Sequence, residues 1–186
     1  MVEHFIGAMD ILKEVEHSNR NDKLLHKNAG ENGLTFFGIY QSAHPNLKMW
    51  KTINRYLEIE PNLAKCSLIL SNVGDLKDEV YNFYKKEFWD KMQLDKVDSG
   101  HICNEMFIFG VNVGYITCIK ETQKLLGVTA DGIIGSITLG KLNAYDVVKF
   151  DKEFDKIEMA YYERIAKAKP HLAINLKGWF NRAVRV

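Results

Sequence analysis

At 186 residues, 46% hydrophobic and 11% aromatic, the chain is long and apolar enough for one cored domain with room for two lobes. Its 25 basic residues nearly match its 24 acidic ones, and a net charge of +1 gives no electrostatic case for nucleic-acid binding, which calls for a strongly basic face. No run approaches the ~18 consecutive apolar residues of a membrane span, and Met1 to Asp10 lacks the basic region and apolar run of a secretory signal. The chain is therefore expected to be made in the cytoplasm and to need a separate export route for work beyond it.

Phe5, Met9, Leu12 and Glu16 fall within roughly 60° of arc at about 100° per residue, which predicts a first helix whose apolar stripe ends in an acid. Glu14 points nearly opposite, toward solvent. A carboxylic acid at the end of such a stripe is costly to ionise, and an acid that keeps its proton near neutral pH is what general-acid chemistry requires. The alternative is a frayed, solvated last turn with no chemical role.

From Asn19 to Asn46 the chain is rich in Asn, Gly, His and Lys, with a brief apolar patch at Leu34 to Tyr40. Gly30, Gly33 and Gly38 punctuate it, so a short hairpin or irregular loop fits better than a helix. A polar loop directly after an acid-bearing helix is where a substrate cleft can form. Farther on, Leu76, Val80, Phe83, Tyr84 and Phe88 predict a helix from about Leu76 to Met92, and a mild boundary follows near Asp95 to Gly100. The run from Ile102 to Leu126 is apolar on most sides and predicts one central buried helix. Within it, Gly110 and Gly114 would let a neighbouring helix approach closely. Phe154, Ile157, Tyr161 and Ile165 mark a late helix that ends before Pro170. The expected fold is mainly α, of α+β type: two packed helical lobes, 1–96 and 97–186, with a small hairpin or loop region after the first helix.

Other features admit structural and functional readings side by side. Cys66, Cys103 and Cys118 are odd in number and widely spaced, which suits reduced, buried thiols better than a disulfide framework. His17, His26, His44 and His101 share no HxxxH spacing and join no carboxylate motif, so no metal is expected. No cofactor is expected either. Phe36, Phe37, Tyr40 and Trp50 can fill a core or offer flat faces to sugar rings; Tyr40 and Gln41, at the end of the apolar patch and with polar tips, are the better cleft candidates. Asp131-Gly132 reads as a turn before a helix capped by Gly135 or Ser136, or as part of a ligand-binding segment.

Several ordered motifs resemble one known family. Val15-Glu16-His17-Ser18-Asn19 stands where that family has a helix ending in Glu-Gly-Gly-Tyr, and Gly30-Glu31-Asn32-Gly33-Leu34-Thr35-Phe36-Phe37-Gly38-Ile39 where it has Asp-Pro-Gly-Gly-x-Thr-x-x-Gly-Ile. Val80 to Asp90 is similar to its Tyr-rich helix ending in Tyr-Trp-Asp, and Phe109-Gly110-Val111-Asn112-Val113-Gly114 to its Asn-x-Gly helix. Gln123 to Val128, Asp131 to Leu139 and Gly178-Trp179-Phe180-Asn181-Arg182 resemble its C-terminal predicted peptidoglycan-binding segment. The family is glycoside hydrolase family 108, the phage-type N-acetylmuramidases, also called secretion activators or endolysin-like proteins.

The resemblance implies a lysozyme-like fold and hydrolysis of the bond between N-acetylmuramic acid and N-acetylglucosamine in peptidoglycan. It places the catalytic acid at Glu16 and a positioning hydroxyl at Thr35. Substrate contacts are expected at His26, Tyr40, Gln41 and Asn112. The family's glycines after the acid are replaced by His17 and Ser18, and its aspartate has no identical counterpart. Glu31 is the nearest carboxylate for the second role, ahead of Asp22 and His26. A spacing of about 6.5–9.5 Å from Glu16 would imply inversion, and about 5–5.5 Å retention. The resemblance further implies a prophage setting with a holin partner, and the chain is expected to be monomeric. A wall-binding or secretion-assisting protein without catalysis, or a lytic transglycosylase, remains the alternative.

Overall fold

The computed structural model describes residues 2–28 and 32–186, and Glu31 lies outside the described residues. The fold is mainly α with one small sheet, as expected. It divides into two compact units: Lys13–Tyr84, and Met1–Leu12 with Lys85–Val186.

The first helix, α1 (Val2–His17), begins in the discontinuous unit and ends in the continuous one. Its buried residues Phe5, Ala8, Met9 and Leu12 repeat at the three- and four-residue steps of a single helical face. That stripe stops at Leu12. Glu16 is exposed, so the expectation of an acid held against apolar surroundings is replaced by an acid presented at the helix end.

Within Lys13–Tyr84, left-handed Ser18 (φ 49°) and Asn19 (φ 56°) turn the chain off α1 into a 3-10 turn at Asn21–Lys23. Three short antiparallel strands follow, β1 (Leu25–His26), β2 (Thr35–Phe36) and β3 (Ile39–Tyr40), in the order β1-β2-β3. Phe37 and Gly38 join β2 to β3 with φ of 51° and 78°, and positive φ at both central residues is the mark of a tight type I′ hairpin. Phenylalanine is an unusual choice for that conformation. It is held there from three sides: its N–H donates to the Leu24 carbonyl at 2.8 Å, the buried Tyr84 hydroxyl donates to its carbonyl at 2.8 Å, and its ring meets His17 edge-on.

Helices α2 (Met49–Ile59), α3 (Leu63–Leu70) and α4 (Gly74–Tyr84) follow; α3 packs on β1, and α2 packs on both α3 and α4. Asn62 caps α3 by accepting from the Lys65 N–H at 3.0 Å. Buried Ser67 on α3 donates to the Asn21 carbonyl and accepts from the Leu25 N–H, tying the loop after α1 and strand β1 to that helix. The stretch holding α2 and α3 carries no assignment from the sequence.

In the other unit the chain continues from α4 through a π-helical turn at Lys85–Trp89, closed by the Asp90 N–H on the Lys85 carbonyl at 2.8 Å. The regular helix expected to Met92 thus ends at Tyr84. The apolar run from Ile102 is two helices, α5 (Gly100–Val113) and α6 (Tyr115–Leu125), because Gly114 adopts φ 86° and breaks the hydrogen-bond ladder. Gly110 makes a close approach, to the Met92 side chain: a Cβ there would lie 2.8 Å from Met92 Cε. Helices α7 (Ser136–Asn143), α8 (Val147–Ala168) and α9 (Leu176–Ala183) complete the unit. Its core is aromatic: Phe107, Phe109, Phe150 and Phe154 are fully buried, with Phe109 edge-on to Phe154 and Tyr162. Cys66, Cys103 and Cys118 are free and buried, and Cys103 and Cys118 pack on separate helices.

Candidate functional site

The end of α1 and the chain reversal after it enclose a concavity of about 420 Å³ lined by Glu16, His17, Ser18, Arg20, Lys23 and His26. The reversal is fixed by backbone bonds, Ser18 N–H to the Glu14 carbonyl and Arg20 N–H to the His17 carbonyl, each 2.8 Å. They turn the chain back just after Glu16, which lines the concavity together with the loop residues.

The two histidines of the concavity differ. His17 is half-buried against Phe37, and burial, then the neighbouring His26 and Lys13, push its pKa down to about 4. It is a neutral imidazole near neutral pH. His26 Nδ1 lies 3.0 Å from the Lys23 carbonyl; a carbonyl only accepts, so this nitrogen carries the proton of that hydrogen bond. Arg20 grips half-buried Asp22 with two bonds, 2.6 and 3.2 Å, and this hydrogen bonding holds the Asp22 carboxyl below its ordinary range. Asp22 is therefore a committed ion-pair partner.

Strand register explains the next layer. His26 pairs with Thr35, and Thr35 with Tyr40, so these three residues form one row across the sheet, while Leu25, Phe36 and Ile39 form the alternate, buried row. Thr35 is buried and Tyr40 exposed at the end of the row. Tyr84 stands beneath the hairpin, and its hydroxyl is kept strongly un-ionised by burial first, then by the nearby Glu16 carboxylate and Tyr40. Glu16, Tyr40 and Tyr84 are thus neighbours within one unit. Gln41 accepts from the Leu34 N–H at 3.0 Å, so its amide oxygen is committed to closing the hairpin. Asn112 belongs to the other unit, where its amide donates to the Ile108 carbonyl and accepts from Arg182. Sequence reasoning passed over Arg20, Lys23 and Tyr84; the first two carried a signal in their closeness to the acid, and Tyr84 carried none.

The other unit has its own concavity of about 630 Å³, lined among others by Gln123, Asp131, Ile133, Ile137, Thr138 and Lys141. Buried Gln123 organises it. Its amide nitrogen donates to Asp131 Oδ1 (2.7 Å) and the Ile133 carbonyl (2.9 Å), and its oxygen accepts from the Gly132 N–H (2.8 Å). Asp131 therefore belongs to a turn with Gly132 at φ 83°, as the Asp-Gly pair predicts. Ile133 and Ile137 nevertheless stand 65% and 72% exposed at the rim.

Two family models match consecutive spans of the chain, and the boundary between them falls within the discontinuous unit. The family model described as glycosyl hydrolase 108 matches residues 22–114, and the model described as a predicted peptidoglycan domain matches residues 117–184. The solved structure of Brucella abortus SagA is similar in fold, with a TM-score of 0.61 at 20% identity, over 95% of this chain and 90% of that one. No curated protein matches the chain. Thr35, Tyr40, Gln41 and Asn112 fall inside the first matched span, and Glu16 lies just before it.

Proposed function

We propose that this chain, which belongs to the glycosyl hydrolase 108 family and carries a predicted peptidoglycan domain, is an N-acetylmuramidase that uses Glu16 as its proton donor. Membership makes it a lysozyme-like, peptidoglycan-related glycoside hydrolase. The finer reading concerns the bond cleaved and the group that helps to cleave it.

One observation carries it. Glu16 stands exposed at a helix end, inside a concavity rimmed by Lys23, Arg20 and His26, and beside Tyr84 and Tyr40. A glycan strand seated there displaces water from Glu16, the setting in which a carboxylic acid hands its proton to the departing glycosidic oxygen. The remaining positive charge builds on the sugar ring and is met by water from the opposite face. Asp22, held by Arg20, is poorly placed to activate that water, which leaves the role to Glu31 or to a hydrogen-bonding group of the His26–Thr35–Tyr40 row. The exposed isoleucines around the Gln123 turn offer the predicted peptidoglycan domain an apolar rim for wall material.

Glu16→Gln keeps the shape and removes the proton. It is expected to lower the clearing rate of a peptidoglycan suspension by about 10²–10⁴-fold, the usual worth of a general acid, with the melting temperature unchanged. Full clearing by the variant overturns the assignment of Glu16. Mass spectrometry of the wild-type digest tests the reaction: reducing muramic ends support it, anhydro-muramyl ends indicate a transglycosylase, and wall binding without cleavage indicates a non-catalytic module.

A further inference from the structure

Within the discontinuous unit, helices α5 and α8 pack together and place two pairs of metal-ligating side chains face to face. His101 and Glu105 are one turn apart on α5, and Asp151 and Asp155 one turn apart on α8. His101 Nε2 lies 2.9 Å from Asp151 Oδ1 and 3.6 Å from Glu105 Oε1. One ligand atom from each of these three residues falls within 4.8 Å of the others.

Glu105 is only 1% exposed, and neither of its carboxylate oxygens has a hydrogen-bond partner. Asp155 Oδ1 is likewise buried and unpartnered. The contrast with Glu121 in the same unit is instructive: that buried acid is met by Arg164 at 2.8 Å and Lys124 at 2.9 Å. A buried carboxylate without donors is costly, and proteins compensate with a proton, a cationic side chain or a metal. Burial first, then Asp155 and Asp151, push Glu105 up to about 9, which describes the same shortage of positive charge. His101 cannot supply it to both acids, because its one Nε2 hydrogen is directed at Asp151 across the shorter distance.

We infer that His101, Glu105 and Asp151, with Asp155 beside them, form a binding site for a divalent first-row transition-metal ion that links α5 to α8. Ligand atoms about 2.1 Å from such an ion stand roughly 3.0–3.4 Å apart in octahedral or tetrahedral arrangement. The two separations from His101 Nε2, 2.9 and 3.6 Å, lie near that range, and all three atoms lie within 4.8 Å. An imidazole among carboxylates favours Zn²⁺ or Mn²⁺ over Ca²⁺, which collects oxygen ligands. The side chains of His101 and Asp151 are about one-third exposed, at 33% and 39%, so the ion has an entry path and room for water ligands.

The test uses the full chain stripped with EDTA and titrated with ZnCl₂ in a calorimeter, with melting followed in parallel. One ion is expected to bind per chain and raise the melting temperature, and Co²⁺ in its place is expected to give visible d–d absorption. Asp151→Asn and His101→Ala are expected to weaken zinc binding by more than the roughly 10–100-fold typical of changes outside the ligand set. His171→Ala, at an exposed histidine elsewhere, leaves binding unchanged. Glu105→Gln is expected to lose the zinc response while folding without metal; if it fails to fold, the exposed Asp151→Asn variant decides. Absence of saturable zinc binding, undiminished binding in Asp151→Asn and His101→Ala, or an equal response to Ca²⁺ overturns the site.

Discussion

The two units use their polar side chains in opposite ways. In Lys13–Tyr84, the charged groups stand at the surface around the reversal after α1, and the buried groups beneath them, Ser67 and Tyr84, hold backbone carbonyls in place. In the discontinuous unit, polar groups are taken inside: Gln123 is 1% exposed, Glu105 1% and Glu158 3%. A surface acid costs little to keep and stands where a substrate can reach it. A buried polar group must be repaid locally, so its partners reveal whether it is structural, like Gln123, or short of a ligand, like Glu105.

The sharpest way to break this contrast is Gln123→Leu. The substitution keeps the volume and leaves the Gly132 N–H and the Ile133 carbonyl without their partners. At about 1–3 kcal/mol for each buried polar group left unpaired, the loss is about 3 kcal/mol. For a chain of this size that lowers the melting temperature by roughly 6–12 °C in a calorimetric scan. A fall near zero means that the Asp131 turn is held by something other than Gln123.

Tyr84→Phe asks the same question of the continuous unit through the bond that holds the hairpin. The Phe37 carbonyl loses its donor, and the hairpin loses one of the contacts that keep Phe37 at positive φ. The expected cost is about 1–2 kcal/mol, read as a lower denaturation midpoint in urea with an unchanged slope. An unchanged midpoint shows that the Leu24 bond and the His17 contact suffice to hold the turn.

What was legible in the sequence follows the same physical line. The stripe of Phe5, Met9 and Leu12 was readable because helical periodicity reports direction directly. Whether anything covers Glu16 was not, since periodicity says nothing about what packs over a helix end. Gly38 announced the hairpin, whereas Phe37 at φ 51° left no trace, because that conformation is imposed by tertiary contacts. An apolar run from Ile102 to Leu126 fits one buried helix or two, and only the backbone at Gly114 decides between them. The motif order carried the family, while the meeting of His101 with Asp151, 50 residues away, exists only once α5 and α8 pack.

The smallest expected effect sharpens the picture of the Glu16 concavity through its other buried-side neighbour. His17 has a folded pKa of about 4 against an ordinary 6.5, so between those values the unfolded chain binds a proton that the folded one refuses. Stability tied to His17 is therefore complete above about pH 6.5 and is lost as the pH falls toward 4. His17→Gln removes the titrating group and keeps a polar side chain. Its melting temperature should fall less than that of the wild type between pH 7 and pH 4, with the two profiles running parallel above pH 6.5. Replacing His26, one of the charges that oppose protonation of His17, should move the imidazole's NMR titration upward. Parallel melting profiles over the whole range would show that His17 titrates as a solvated histidine, and the contrast between a wet concavity and its buried support would then fail at this residue.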